Sequence, residues 1–179
     1  MRTKKFLIIV LFSLVYGNSF SQILSTEEKK LYDMIMEYRK EKGLPNIPLS
    51  KSLTFVAQSH VKDLQTSGLV NSTCNMHSWS NNGPWTSCCY TDDHAKASCM
   101  WHKPRELTSY QGNGYEISYG SYGASVNAEG ALKGWKESSG HNAVIINQGI
   151  WADNNWKAIG VGISEGYSVV WFGEELDNN

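Results

Sequence analysis

A chain of 179 residues with 16 Lys and Arg against 17 Asp and Glu carries a net charge of −1, and its basic residues are scattered rather than clustered. That balance excludes a nucleic-acid footprint and a polybasic membrane anchor, both of which need a concentrated positive field. With 41% hydrophobic and 12% aromatic residues, the chain has the material for one domain with its own core.

The chain opens MRTKKFLIIVLFSLVYGNSFSQ. Arg2, Lys4 and Lys5 precede an apolar run from Phe6 to Tyr16, and the small residues Ser19 and Ser21 come just before Gln22. This is the pattern of a secretory signal peptide over residues 1–21. The run is shorter than the ~20 apolar residues that cross a bilayer, and no later stretch reaches that length. The expectation is a single exported domain over 22–179, extracellular or, in a bacterium, periplasmic or at the cell surface. Loss of the three leader cations takes the net charge from −1 to −4.

From Ser25 the stretch STEEKKLYDMIMEYRKEKG pairs Ser25 with Glu28 as a capping box. Leu31, Met34, Ile35 and Tyr38 follow at helical spacing, and Gly43 closes it. After the turn-prone LPNIPLS, a second helix opens near Ser50, places Leu53, Val56, Ala57, Val61 and Leu64 on one face, and stops at Gly68. His60 falls on that apolar stripe, where a core histidine with one hydrogen-bonded nitrogen is expected ahead of a ligand.

Residues 70–114 show no sustained period, read as a long irregular insertion, and contain all four cysteines, Cys74, Cys88, Cys89 and Cys99. Export makes disulfides the expectation. A bridge between the neighbours Cys88 and Cys89 requires strained geometry, so each is expected to bond Cys74 or Cys99, in either order. The absence of a CxxC pair disfavours zinc at these thiols. Trp79, Trp85 and Trp101 supply buriable area, which favours an ordered, cysteine-rich insertion over about 70–114. Asn71-Ser72-Thr73 matches a glycosylation acceptor.

Near Tyr115 the segment GYEISYGS reads as a short strand. A third helix is expected from about Val126 to Glu137, with Ala128, Ala131, Leu132 and Trp135 inward and Glu129 paired to Lys133. WKESSGHN then places His141 just past its end, with Ser138 closing the helix. The tail reads as a hairpin turning at Glu165-Gly166. Its first strand has one face of Ile159, Val161 and Ile163 and a small face of Ala158, Gly160 and Gly162, which demands a close neighbour. Val169 to Phe172 are apolar on both faces, so the sheet is covered on both sides. The expected fold is α/β, a three-layer α/β/α sandwich around a mostly antiparallel sheet.

Several pieces stand in order along the chain: AQSH from Ala57 to His60, MHSWS around His77, GYEIS around Glu116, WKESSGHN through His141, Asn147, and the GVG of Gly160 to Gly162. On these the chain resembles the CAP superfamily of cysteine-rich secretory, antigen 5 and pathogenesis-related proteins, over about residues 25 to 173. The resemblance implies a solvent-open cleft lined by two histidines and one or two glutamates that can hold a divalent metal. Transferred by position, the set is His77, Glu116 and His141, with Trp135, Ser138 and Asn142 beside it in the cleft. The chain departs from the family at Ile117, where Asn is usual, at Asn142, where Arg is usual, and in the long insertion. A second cleft glutamate would fall at Ser138; Glu137 sits one residue short, about 100° around a helix, and is an uncertain fourth member.

Imidazole nitrogens and a carboxylate suit zinc or another divalent ion, and three ligands leave a position open to water. The same residues serve equally as a hydrogen-bonded cluster that fixes a loop to a helix end. No helical HExxH is present. Ser78 beside His77, and Ser138 and Ser139 before His141, lack a GxSxG elbow and read as caps and turn residues. The expected function is binding of a lipid or sterol, a divalent metal or an extracellular partner, rather than turnover. The alternatives are a metal-assisted hydrolase of peptide or cell-wall material, and an adhesive module whose insertion tryptophans stack on glycans.

Overall fold

The computed structural model describes residues 24–121 and 123–179, so the signal peptide expected over 1–21 lies outside the described residues. The first two helices follow the capping signals. In α1 (Thr26–Glu41) Ser25 Oγ accepts the Glu28 amide while the Glu28 carboxylate accepts the Ser25 amide. In α2 (Lys51–Ser67) Ser50 caps the start and Gly68 ends the helix in the left-handed region at φ 61°. Asp177 also reaches back from the C-terminal tail, accepting from the Ser52 amide at 2.8 Å and the Ser50 hydroxyl at 2.6 Å.

Three strands, β1 (Tyr115–Gly120), β2 (Ala158–Ile163) and β3 (Tyr167–Gly173), form an antiparallel sheet of order β1-β3-β2. Val169, Val170, Trp171 and Phe172 of the central strand are all fully buried. Burial of each such side chain contributes roughly 1.5–3 kcal/mol, so β3 is the spine of the core. Val169 and Trp171 pack with Leu53, Val56, Ala57 and Val61 of α2. On the other face Val170 and Phe172 pack with Leu31 and Ile35 of α1 and with Ala131, Leu132 and Trp135 of α5 (Ala128–Glu137). These layers are the expected α/β/α sandwich. The small face of β2 has its reason: a Cβ at Gly160 would collide with the Leu53 backbone, and one at Gly162 with that of Ala57.

Four expectations are corrected. The third helix starts at Ala128 rather than Val126, because Asn127 is extended and its side chain caps the Gly130 amide at 2.8 Å. Glu129 pairs with Lys30 of α1 rather than with Lys133, which lies 3.9 Å from Glu137 instead; α1 brings the nearer cation. His141 is not beyond a helix end: Ser138, extended at ψ 114°, closes α5 and opens a second short helix, α6 (Ser139–Ile145), which contains it. The insertion is not wholly irregular, since it holds α3 (Ala97–Trp101) and α4 (Lys103–Leu107). Five residues are too few to show a period.

The insertion is stapled by Cys74–Cys89 and Cys88–Cys99, with Cα separations of 4.9 and 5.9 Å, so each of the adjacent cysteines bonds outward. Asn71, in the glycosylation-type triplet, is exposed and its Oδ1 accepts the Thr73 amide at 2.8 Å. The far end of α6 is held by Arg39, a buried guanidinium that donates to the Ile145 carbonyl at 2.5 Å and to Asn147 Oδ1 at 2.7 Å. Burial pulls Arg39 down to about 10, still fully charged at neutral pH.

Candidate functional site

Strand alternation sets the site. Glu116 stands opposite Trp171 in the register and projects to the α2 side, while its neighbour Ile117 joins the other core. There Glu116 meets two imidazoles. His60, on the apolar stripe of α2 and fully buried, lies with Nδ1 2.5 Å from Glu116 Oε2. His77, from the loop after α2, lies with Nδ1 2.7 Å from Glu116 Oε1. The two oxygens of one carboxylate are thus shared between two histidines. His60 Nε2 donates to the Ser78 carbonyl at 2.9 Å, and its ring stacks on Trp79 with centroids 4.2 Å apart and planes 6° off parallel.

Burial pushes the Glu116 carboxyl up, but the charge and hydrogen bond of His60, joined by those of His77, outweigh it and hold the group below its ordinary value. A carboxylate removed from water survives as an ion only when its oxygens are satisfied in this way. His141 is pushed down by burial first and by the nearby His77 second, with Glu116 opposing. The cleft therefore favours a neutral His141.

Beside this polar centre is a cavity of about 510 Å³, within the range of small-molecule sites. His77, Glu116, Ser138 and His141 line its polar end, and Met100, Trp101, Tyr115, Val144 and Trp151 line its apolar walls. Trp101, Tyr115 and Trp151 form a run of ring contacts at 5.8 and 5.3 Å between centroids. Ile150 stands 88% exposed at its rim. The insertion supplies one whole wall, with Tyr90, His94, Ala97, Met100 and Trp101. The Tyr90 hydroxyl and His94 Nδ1 share a hydrogen bond at 2.9 Å, tying that wall together.

The sequence-derived set divides. His77 and Glu116 are in direct contact, and His141 and Ser138 share their cavity. Trp135 is not in the cleft: it is fully buried under β1 and donates Nε1–H to the Ser118 carbonyl at 2.9 Å. Asn142 is turned to the other side of α6, where its Oδ1 accepts the Tyr38 hydroxyl at 3.0 Å. Glu137 is exposed beside Lys133, as its one-residue offset implies. His60 is as buried as its position on the stripe suggested, yet both of its nitrogens are engaged and it belongs to the site. A histidine fixed on an apolar face must find two partners, and that demand is the one sequence signal that pointed to it. Tyr90, His94, Met100, Trp101 and Trp151 had no signal beyond their aromatic or polar type.

Among the described residues no three His, Cys, Asp or Glu side chains are grouped so as to hold a divalent ion. Each Glu116 oxygen already meets an imidazole nitrogen, Oε2 that of His60 and Oε1 that of His77. His77, His94, His141 and Glu116 line the cavity, but they are not grouped as the three ligands of a zinc-type centre. Nor does Ser78 present a nucleophile. It is fully buried, and its hydroxyl accepts the Tyr90 amide at 2.8 Å.

A family model described as CAP: Cysteine-rich secretory protein family matches residues 32–172. No curated protein matches the sequence significantly. Among solved structures, an extracellular protein containing an SCP domain from Bacillus anthracis superposes with a TM-score of 0.58 at 17% identity, over 83% of this chain and 40% of that one. An outer surface protein from Borrelia burgdorferi gives 0.58 at 19% identity, over 86% and 96%. A cysteine-rich secretory protein from Staphylococcus aureus gives 0.53 at 15% identity, over 83% and 39%. At these identities the likeness is one of fold. The chain spans about two fifths of the Bacillus and Staphylococcus proteins and nearly the whole of the Borrelia one.

Proposed function

The chain belongs to the cysteine-rich secretory protein, or CAP, family, and from that premise we propose that it is an exported binding protein whose cleft takes a small ligand with an apolar body and a polar head. The carrying observation is the cavity itself: aromatic and aliphatic walls converge on the edges of His77 and His141. Two disulfides suit an oxidising location. The Bacillus and Borrelia proteins of like fold are described as extracellular and outer-surface, which accords with export.

Binding is favoured over turnover because the serine beside His77 is committed to the backbone and the carboxylate is neutralised by two imidazoles. A glycan platform has less support, since Trp79 is 1% exposed and neither Trp85 nor Trp101 is fully exposed. Fluorescence titration of the mature protein with alkyl alcohols, alkyl acids and zinc chloride tests the reading. A saturable change with the alkyl compounds, reduced in Trp101→Ala, supports it. A response confined to zinc, or peptide hydrolysis abolished by a chelator, replaces it with a metal-centred function.

A further inference from the structure

The hydrogen bonds of the buried centre have a direction, and the direction reaches the cavity. His60 Nε2 faces the Ser78 carbonyl at 2.9 Å, and a carbonyl only accepts, so this nitrogen carries a proton. His60 Nδ1 and Glu116 Oε2, 2.5 Å apart, then share a single proton between them. The other oxygen, Oε1, is left as an acceptor for His77 Nδ1 at 2.7 Å. In a histidine the partner of one nitrogen decides the state of the other. With Nδ1–H given to Glu116, a neutral His77 has a bare Nε2, and no hydrogen bond to a described residue occupies it. His77 is a wall of the cavity, half-buried rather than sealed, so that lone pair is open to whatever enters.

We propose that the buried His60–Glu116 pair fixes the polarity of the cleft: it holds His77 protonated on Nδ1 and bare on Nε2, and thereby selects ligands that offer an O–H or N–H donor on an apolar body. This rests on the cleft being a binding site. His60 is a positioning residue in it, acting on the ligand through Glu116 and His77 and stacked on Trp79 so that its own ring cannot turn. A phenol or an aliphatic alcohol meets the requirement. An ether of the same shape does not.

Long-range proton–nitrogen NMR of the histidine side chains in the mature protein reads the claim directly, with 4-butylphenol and its methyl ether as probes. The expected spectrum shows His77 protonated at Nδ1 with a bare Nε2. The phenol should move the His77 Nε2 signal and bind about tenfold more tightly than the ether, the measure of roughly one net hydrogen bond. In Glu116→Gln the amide NH2 can turn to His60 and its oxygen to His77; the variant should keep the His77 tautomer and the preference for the phenol while His60 loses the Nδ1 proton. His60→Leu should mix the two His77 tautomers and erase the preference. A wild-type His77 protonated on Nε2, or equal binding of phenol and ether, overturns the proposal. Failure of both probes to bind defeats the ligand selection and the binding reading together, whereas a wrong tautomer defeats the proposal even if both probes bind.

Discussion

The inner wall of the cleft, where β1 meets α2, carries Glu116 and His60 with side chains wholly buried, whereas the outer wall, carried by the cysteine-rich insertion, leaves Trp101 half-buried and His94 exposed. On the inner wall every polar atom of the pair has a partner, and two layers of the sandwich fix those partners. On the outer wall the side chains hang from two five-residue helices and two disulfides. The difference separates two tasks: the sandwich holds a charge in place, and the insertion shapes what reaches it. Changes to the first wall should therefore act on stability, and changes to the second on binding.

The largest effect is expected on the inner wall. His60→Ala leaves the buried Glu116 short of a partner and opens a cavity beside Trp79; breaking a buried pair in this way costs about 3–5 kcal/mol, read as a lower urea midpoint. Next comes the staple of the outer wall. Replacement of Cys74 and Cys89 by Ser removes a bridge across a separation of 15 residues and should cost about 3 kcal/mol. If urea denaturation shows the outer-wall change to be the larger of the two, the division of labour fails.

Acid sharpens the comparison. Glu116 has a folded-state value below its ordinary 4.5, so its contribution is present above that pH and is lost as the pH falls through the depressed value. Glu116→Gln should therefore flatten the loss of stability below about pH 4. His141 is also depressed, from 6.5, so its neutral form favours the fold above that pH and the contribution fades as the pH drops further. His141→Gln should flatten the profile just below pH 6.5, where the ordinary imidazole begins to charge. Trp101→Ala should weaken ligand binding by more than it lowers the melting temperature. Lys30→Met, which removes only exposed pairs with Glu129 and Glu27, should change neither measurably.

Much of the sandwich was legible because its signals are local. The Ser25–Glu28 box, the left-handed Gly68 and the small face of β2 each announce one structural demand, and each is met. The outward pairing of Cys88 and Cys89 was legible by the same logic. The site was legible only in part. His77, Glu116 and His141 stand at motif positions, but the meeting of Glu116 with His60 depends on β1 register and on the rotation of α2, 56 residues away in sequence. Asn142 sits next to the cleft residue His141 along the chain and points elsewhere, because one step on a helix turns a side chain by about 100°, and Trp135 faces the core under β1. The outer wall carried no periodic signal, since its two helices are only five residues long.

One carboxylate held ionised between two imidazoles is the centre of the cleft. Selective carbon-13 labelling of glutamate and an NMR pH titration of the Glu116 side-chain carboxyl measures that state directly. A midpoint below the ordinary 4.5 is the predicted result; a midpoint above it would mean that burial prevails, that His60 and His77 do not reach the carboxylate, and that the cleft has no such centre.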